Sequence, residues 1–145
     1  MDGDSRLARF AAFFEGMTPD DVARLGEIYA DDVHFVDPFS DFTGLDRLKR
    51  VFAAMFEGMR DYGLTVEEQG MISADTGLVR WTMGGFVKAL GPARWEVKGV
   101  SLIRFGADGR VAEHLDYWDA AGQMYERLPV LGWILKRIRR RIAQH

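Results

Sequence analysis

The rhythm of apolar positions along this chain changes at Tyr62. Before it, apolar residues recur every three or four positions. Leu7, Phe10, Phe13, Phe14 and Met17 predict a helix over 5–17. Thr18-Pro19-Asp20-Asp21 then reads as a second helix start, with a capping Thr, a first-turn Pro and early acids. That helix is predicted to run to about Ala30. Leu48, Val51, Phe52, Met55, Phe56 and Met59 give a third helix a wide apolar face, opened by Gly44 or Asp46. Between the second and third helices lies a short strand near 33–37. In it Val33, Phe35 and Asp37 share one face, and His34 and Val36 the other.

From Tyr62 the texture becomes that of strands, predicted over 62–73, 78–90, 94–106 and 110–118. Ala74-Asp75-Thr76-Gly77, Gly91-Pro92 and Ala107-Asp108-Gly109 separate them with turn chemistry. Gly84-Gly85 inside a strand predicts a bulge or sharp bend. Residues 119–143 return to helix, broken near Pro129 or Gly132. The order ααβαββββα predicts an α+β fold. It is a cone-shaped, strongly curved antiparallel β-sheet packed on about three N-terminal helices, plus a C-terminal helix. A bent sheet closed by helices encloses a cavity suited to a small molecule.

Composition narrows the class. A chain of 145 residues suits a single domain, 1–145. It has no Cys, so disulfides, thiolate catalysis and Cys-based zinc sites are excluded. Met1-Asp2-Gly3-Asp4-Ser5-Arg6 lacks the start of a signal peptide, and no apolar run approaches the ~20 residues of a membrane span. A cytoplasmic location is expected. The net charge is −3, unevenly placed: Lys136, Arg137, Arg139, Arg140 and Arg141 have no acid after them. The remainder sets 14 basic residues against 22 acidic ones, a balance of −8 that argues against nucleic acid binding by the body.

Asp37 is the first candidate for chemistry. An acid on the same strand face as Val33 and Phe35 is desolvated, which raises its pKa toward the range of a useful general base. Asp-Pro pairs also start turns, so a capping role stands beside the catalytic one.

Tyr29-Ala30-Asp31-Asp32, Val36-Asp37-Pro38-Phe39, Gly44, and Arg104 to Val111 leading to Tyr117-Trp118 resemble the nuclear transport factor 2-like superfamily. That superfamily includes ketosteroid isomerases, limonene epoxide hydrolases and SnoaL-like polyketide cyclases. The resemblance covers almost the whole chain and implies the cone fold, while the superfamily hosts enzymes, binding modules and scaffolds alike. It places Asp37 on the isomerase general base. The isomerase's oxyanion-donating tyrosine falls on Phe13 and its protonated aspartate on Ser101, and neither replacement is an equivalent donor. Losing such a donor costs roughly two to three decades in rate, so true ketosteroid isomerisation is not expected. The Asp-Arg-Asp constellation of the epoxide hydrolases has no clear counterpart. In the cyclases an acid near the final helix region moves a proton, and Asp116 or Asp119 stands in that region.

The resemblance also makes Trp118 a pocket wall. By alternation Asp116, His114 and Ala112 then share its face. A His–Asp pair two residues apart is suited to proton transfer near neutral pH, or to mutual satisfaction as buried polar packing. Ser101 shares a face with Trp95, Val97, Gly99 and Ile103, and reads as a ligand hydrogen bonder or a backbone partner. The catalytic candidates are therefore Asp37, His114 and Asp116. The pocket candidates are Phe13, Phe35, Met55, Met59, Trp81, Trp95, Ser101 and Trp118. No metal or other cofactor is expected: His34 faces away from Asp37, and no phosphate-binding glycine pattern is present.

These residues support a small-molecule-binding domain, with a cofactor-independent isomerase, cyclase or hydrolase acting on an apolar substrate as one reading. A non-catalytic ligand-binding or accessory domain is the other. A homodimer is expected through the convex sheet face, where Val100 and Leu102 need covering. Residues 130–145 form a basic amphipathic helix, its apolar stripe made by Leu131, Ile134, Leu135, Ile138 and Ile142. This stripe predicts packing on its own domain or on a partner subunit; contact with an anionic membrane is the less expected alternative.

Overall fold

In a computed structural model the chain is described over residues 3–143, so the extreme ends of the 1–145 domain and of the 130–145 tail lie outside the described residues. Helix α1 spans Gly3–Glu15, followed by a 3₁₀ helix, Pro19–Glu27. Strand β1, Tyr29–Asp37, turns directly into β2, Ser40–Thr43, and α2 covers Leu45–Gly58. Strands β3 (Arg60–Met71), β4 (Thr76–Phe86), β5 (Trp95–Phe105) and β6 (Val111–Tyr117) follow. A short helix α3, Ala120–Gln123, a 3₁₀ turn, Tyr125–Arg127, and helix α4, Pro129–Ala143, complete the chain.

The six strands form one curved sheet in the order β2-β1-β6-β5-β4-β3. The α+β cone is as predicted, with one departure: β1 pairs with β6 in parallel. All other pairs are antiparallel. Hairpins impose antiparallel pairing only between consecutive strands, and β1 and β6 are linked by no hairpin. The predicted second helix is a 3₁₀ segment that stops at Glu27. Tyr29 is already extended there, paired with Val111 and fully buried. Strand β2 was not predicted; Asp37 faces Ser40 across the two-residue turn Pro38-Phe39.

Alternation in β5 is regular. Trp95, Val97, Gly99, Ser101, Ile103 and Phe105 point inward. Gly84 and Gly85 keep regular pairing with Glu96 and Trp95 on the β5 side. One irregularity falls opposite them, in β3 between Arg60 and Gly63, and a second lies between Val66 and Glu68, across from Trp81 and Arg80. A Cβ on Gly85 would sit 2.6 Å from Met59, so this bend brings β4 against the end of α2. The helical side of the cone contributes Leu7, Phe10, Phe14 and Leu48 to a core shared with Val33, Val97, Ile103 and Val111.

Helix α4 packs chiefly on the 3₁₀ turn before it. Gly132 makes that junction possible, since a Cβ there would lie 2.2 Å from the Glu126 carbonyl oxygen. The predicted packing of its apolar stripe on the domain is not formed: Ile134, Ile138 and Ile142 are exposed. Among the described residues no helix is long and apolar enough to cross a membrane.

Candidate functional site

The cone encloses a cavity of about 430 Å³, within the range of small-molecule sites. Its walls are mostly apolar. Asp37, His114 and Asp116 all line it, as do Phe35, Met55, Met59, Trp81, Trp95, Ser101 and Trp118. Phe13 does not. On α1, Phe10 and Phe14 stand four residues apart on the cavity side, and Phe13 is rotated away from them. Its ring packs against Phe14 and under the Arg24 guanidinium, 5.8 Å from the ring centre. No arginine lines the cavity among the described residues, so the Asp-Arg-Asp constellation is not assembled here.

The two acids come from strands paired side by side. Asp37 ends β1, whose Phe35 pairs with His114 of β6. Asp116 lies two residues further on β6 and pairs with Ser101 of β5. The alternation predicted through Ala112 is interrupted, because the register shifts between Arg104 and Phe105 and leaves Val111 opposite Phe105. From His114 onward it holds, and His114, Asp116 and Trp118 turn inward together.

A chain of side-chain hydrogen bonds runs along this wall. Trp81 Nε1–H donates to Ser101 Oγ at 2.8 Å. An indole nitrogen can only donate, so the Ser101 hydroxyl proton is free to pass to Asp116 Oδ1. The same oxygen meets His114 Nε2 at 2.6 Å. The other ring nitrogen, Nδ1, lies 2.6 Å from the Tyr29 hydroxyl. Burial, with the Asp116 charge adding to it, pushes the Tyr29 phenol well above its ordinary value, so it keeps its proton. The assignment that satisfies every group has Tyr29 donating to Nδ1 and Nε2–H donating to Asp116. His114 is 4% exposed and both of its nitrogens are taken. Its nitrogens hold Tyr29 and Asp116, and only its ring faces the cavity.

Asp37 is in a different position. Its Oδ1 accepts from the Phe39 backbone N–H at 2.8 Å, which is the turn-capping role. It also faces the cavity, and desolvation is the largest influence on it. Burial pushes its carboxyl above the ordinary value, the Asp116 charge adds to that, and the Phe39 hydrogen bond opposes it. Tyr62, on the opposite wall, is likewise held above its usual range by burial.

Gly99 shapes the wall behind Asp116. A Cβ there would lie 2.6 Å from the Trp81 ring and 3.1 Å from Trp118. The missing side chain is the space into which Trp81 fits as it reaches Ser101.

Among the site residues that sequence reasoning missed are Tyr29, Phe14, Ser40, Tyr62 and Met124. Phe14 carried a usable signal in its four-residue spacing from Phe10. Tyr29 carried none, because it read as the end of a helix. His34 points to the other sheet face, with Nε2 2.8 Å from Asp41 and Nδ1 3.1 Å from Glu113. No group of three or more His, Cys, Asp or Glu among the described residues is arranged to hold a metal.

Comparison with known proteins agrees with this architecture. The profile of the SnoaL-like domain matches residues 10–114. No curated protein matches the chain. A hypothetical protein of Catenulispora acidiphila with a ketosteroid isomerase-like fold, solved in complex with trimethylamine, superposes with a TM-score of 0.71. It is 20% identical, over 88% of this chain and 95% of that one. An epoxide hydrolase of M. tuberculosis, of the LEH-like type, gives 0.66 at 18% identity, over 93% and 90% of the two chains. A steroid delta-isomerase from Pseudomonas aeruginosa gives 0.60 at 16% identity, over 97% and 94%.

Proposed function

This chain belongs to the SnoaL-like domain family, and on that footing we propose that it binds a small, mostly apolar molecule in the cone and transfers a proton on it. The observation that carries this reading is the pairing of two unlike carboxyls in one apolar cavity. Asp37 is lifted by desolvation and by its neighbour's charge. Asp116 is held by His114 and Ser101. Carboxyls whose surroundings differ in this way divide into a proton-transferring group and a fixed partner. In this reading Asp37 takes or gives the proton. Asp116, a hydrogen-bond acceptor held by Ser101 and His114, orients a donor group of the substrate, and His114 with Tyr29 positions Asp116. Phe13 and Ser101 stand where the isomerase has its two oxyanion donors, so the substrates fitting best are activated ones: carbonyls with acidic α-protons, enols or epoxides.

The test is turnover or solvent-deuterium exchange on a panel of small cyclic ketones, enols and epoxides, comparing the protein with Asp37→Asn. A loss of about 10²–10⁴-fold in the variant, with ligand binding kept, is the expected result. A carboxyl-carbon NMR titration placing Asp37 at or below its ordinary value, with no exchange on any substrate, overturns the reading.

The Phe39 N–H bond to Asp37 favours a second reading, in which that carboxyl is a turn cap in a non-catalytic binding domain. Under that reading Asp37→Asn leaves every ligand-dependent property unchanged. Both readings fit a homodimer through the convex sheet face, where Val100 and Leu102 are half-buried and Tyr117 is exposed.

A further inference from the structure

We infer that α4 docks on an anionic lipid surface. The helix lies outside the core and presents Leu131, Ile134, Ile138 and Ile142 at 40%, 41%, 49% and 65% exposure. Exposure of that size on one short helix is unusual for a soluble domain's surface. The apolar residues are not scattered. Leu131, Ile134, Leu135, Ile138 and Ile142 follow helical spacing along one side. Lys136, Arg137 and Arg140 fall on the opposite side, with Arg139 and Arg141 at the stripe's two edges.

The charge pattern selects the occupant. The helix carries five basic residues and no acid, whereas the rest of the chain balances at −8. Arg139 is paired with the buried Glu126 at 2.8 Å, and this bond pins the helix to the turn before it. Arg137 lies over the Trp133 ring at 5.7 Å. An apolar stripe flanked by cations matches the acyl and headgroup layers of an anionic bilayer. The basic side chains can bury their stems beside the stripe and reach the phosphates. A second copy of α4 would set five cations against five. The acidic body is repelled by the same lipid surface, which confines contact to this one helix. The inference does not depend on the proposed chemistry, because none of its residues lines the cavity.

The experiment is sedimentation of the full chain with vesicles of phosphatidylcholine and phosphatidylglycerol in equal parts, against phosphatidylcholine alone. The protein is expected to pellet with the mixed vesicles at least roughly tenfold more strongly than with the neutral ones, and less as salt is raised. Ile134→Glu with Ile138→Glu changes only exposed positions, so its circular dichroism should match the parent while it stays in the supernatant. Three results each overturn the inference. One is a parent that stays in the supernatant, and another is a double variant that pellets like the parent. The third is a dimer in sedimentation equilibrium without lipid that the double variant splits, which makes a second copy the occupant.

Discussion

At the scale of single residues, the site is built from groups whose burial is compensated unequally. Asp37 is a carboxyl raised by desolvation, so the folded protein holds its proton to higher pH than the unfolded chain does. Stability from this group is complete below the ordinary value of 3.8 and is lost as pH rises through the folded value. Asp37→Asn should therefore stabilise the protein at neutral pH, by on the order of 1 kcal/mol, and the gain should disappear in acid. Thermal unfolding of both forms across pH checks this. Tyr29 behaves differently. It is fully buried and its hydroxyl is the partner of His114 Nδ1. Tyr29→Phe leaves that nitrogen unpaired in the interior and should cost about 1–3 kcal/mol in denaturant unfolding. This residue shows why the site was only partly legible in the sequence. Asp37, His114 and Asp116 announced themselves as polar residues on apolar strand faces. Tyr29 is a site residue through its partner, and nothing in its own neighbourhood names that partner.

At the scale of elements, local periodicity was a good guide wherever one face is buried. It marked α1, α2 and the alternation of β5 because burial there repeats with the period of the element. It failed where long-range pairing overrides local preference. The 3₁₀ helix ends early because Tyr29 is recruited to the sheet, and the register shift beside Ala112 is set by β5. Phe13 was misplaced for a smaller reason: the family resemblance sets it on the isomerase's tyrosine position, whereas α1 turns Phe10 and Phe14 to the cavity. The outer face of β1 carries a prediction of its own. His34 joins Asp41 of β2 and Glu113 of β6, so one imidazole bridges three strands. The Asp41 and then the Glu113 hydrogen bonds raise its pKa above the ordinary 6.5. Its contribution is present below 6.5 and is lost as pH rises through the folded value. A histidine proton-NMR titration should place His34 above 6.5, and His34→Asn should flatten the pH dependence of stability over that window.

At the scale of the whole molecule, charge and apolar surface are both divided. An acidic cone holds the cavity, and a basic helix with an unburied stripe stands outside the core. The sequence displayed both parts plainly, yet it gave no sign that the stripe would remain uncovered, since covering depends on where α4 leaves the 3₁₀ turn. The parallel seam between β1 and β6 carries a kinetic meaning. Asp37 and Asp116 lie on opposite sides of it, far apart along the chain, with no hairpin to bring them together. Closing that seam demands the largest loop in the fold, so it belongs to the late, slow part of the reaction. The hairpins of β3, β4 and β5 can form without it. A stopped-flow refolding experiment should show tryptophan burial beginning before the cavity can take up an apolar dye. The pocket is thus a reporter of completed folding: a chain that has not yet joined its first strand to its last has a sheet but no site.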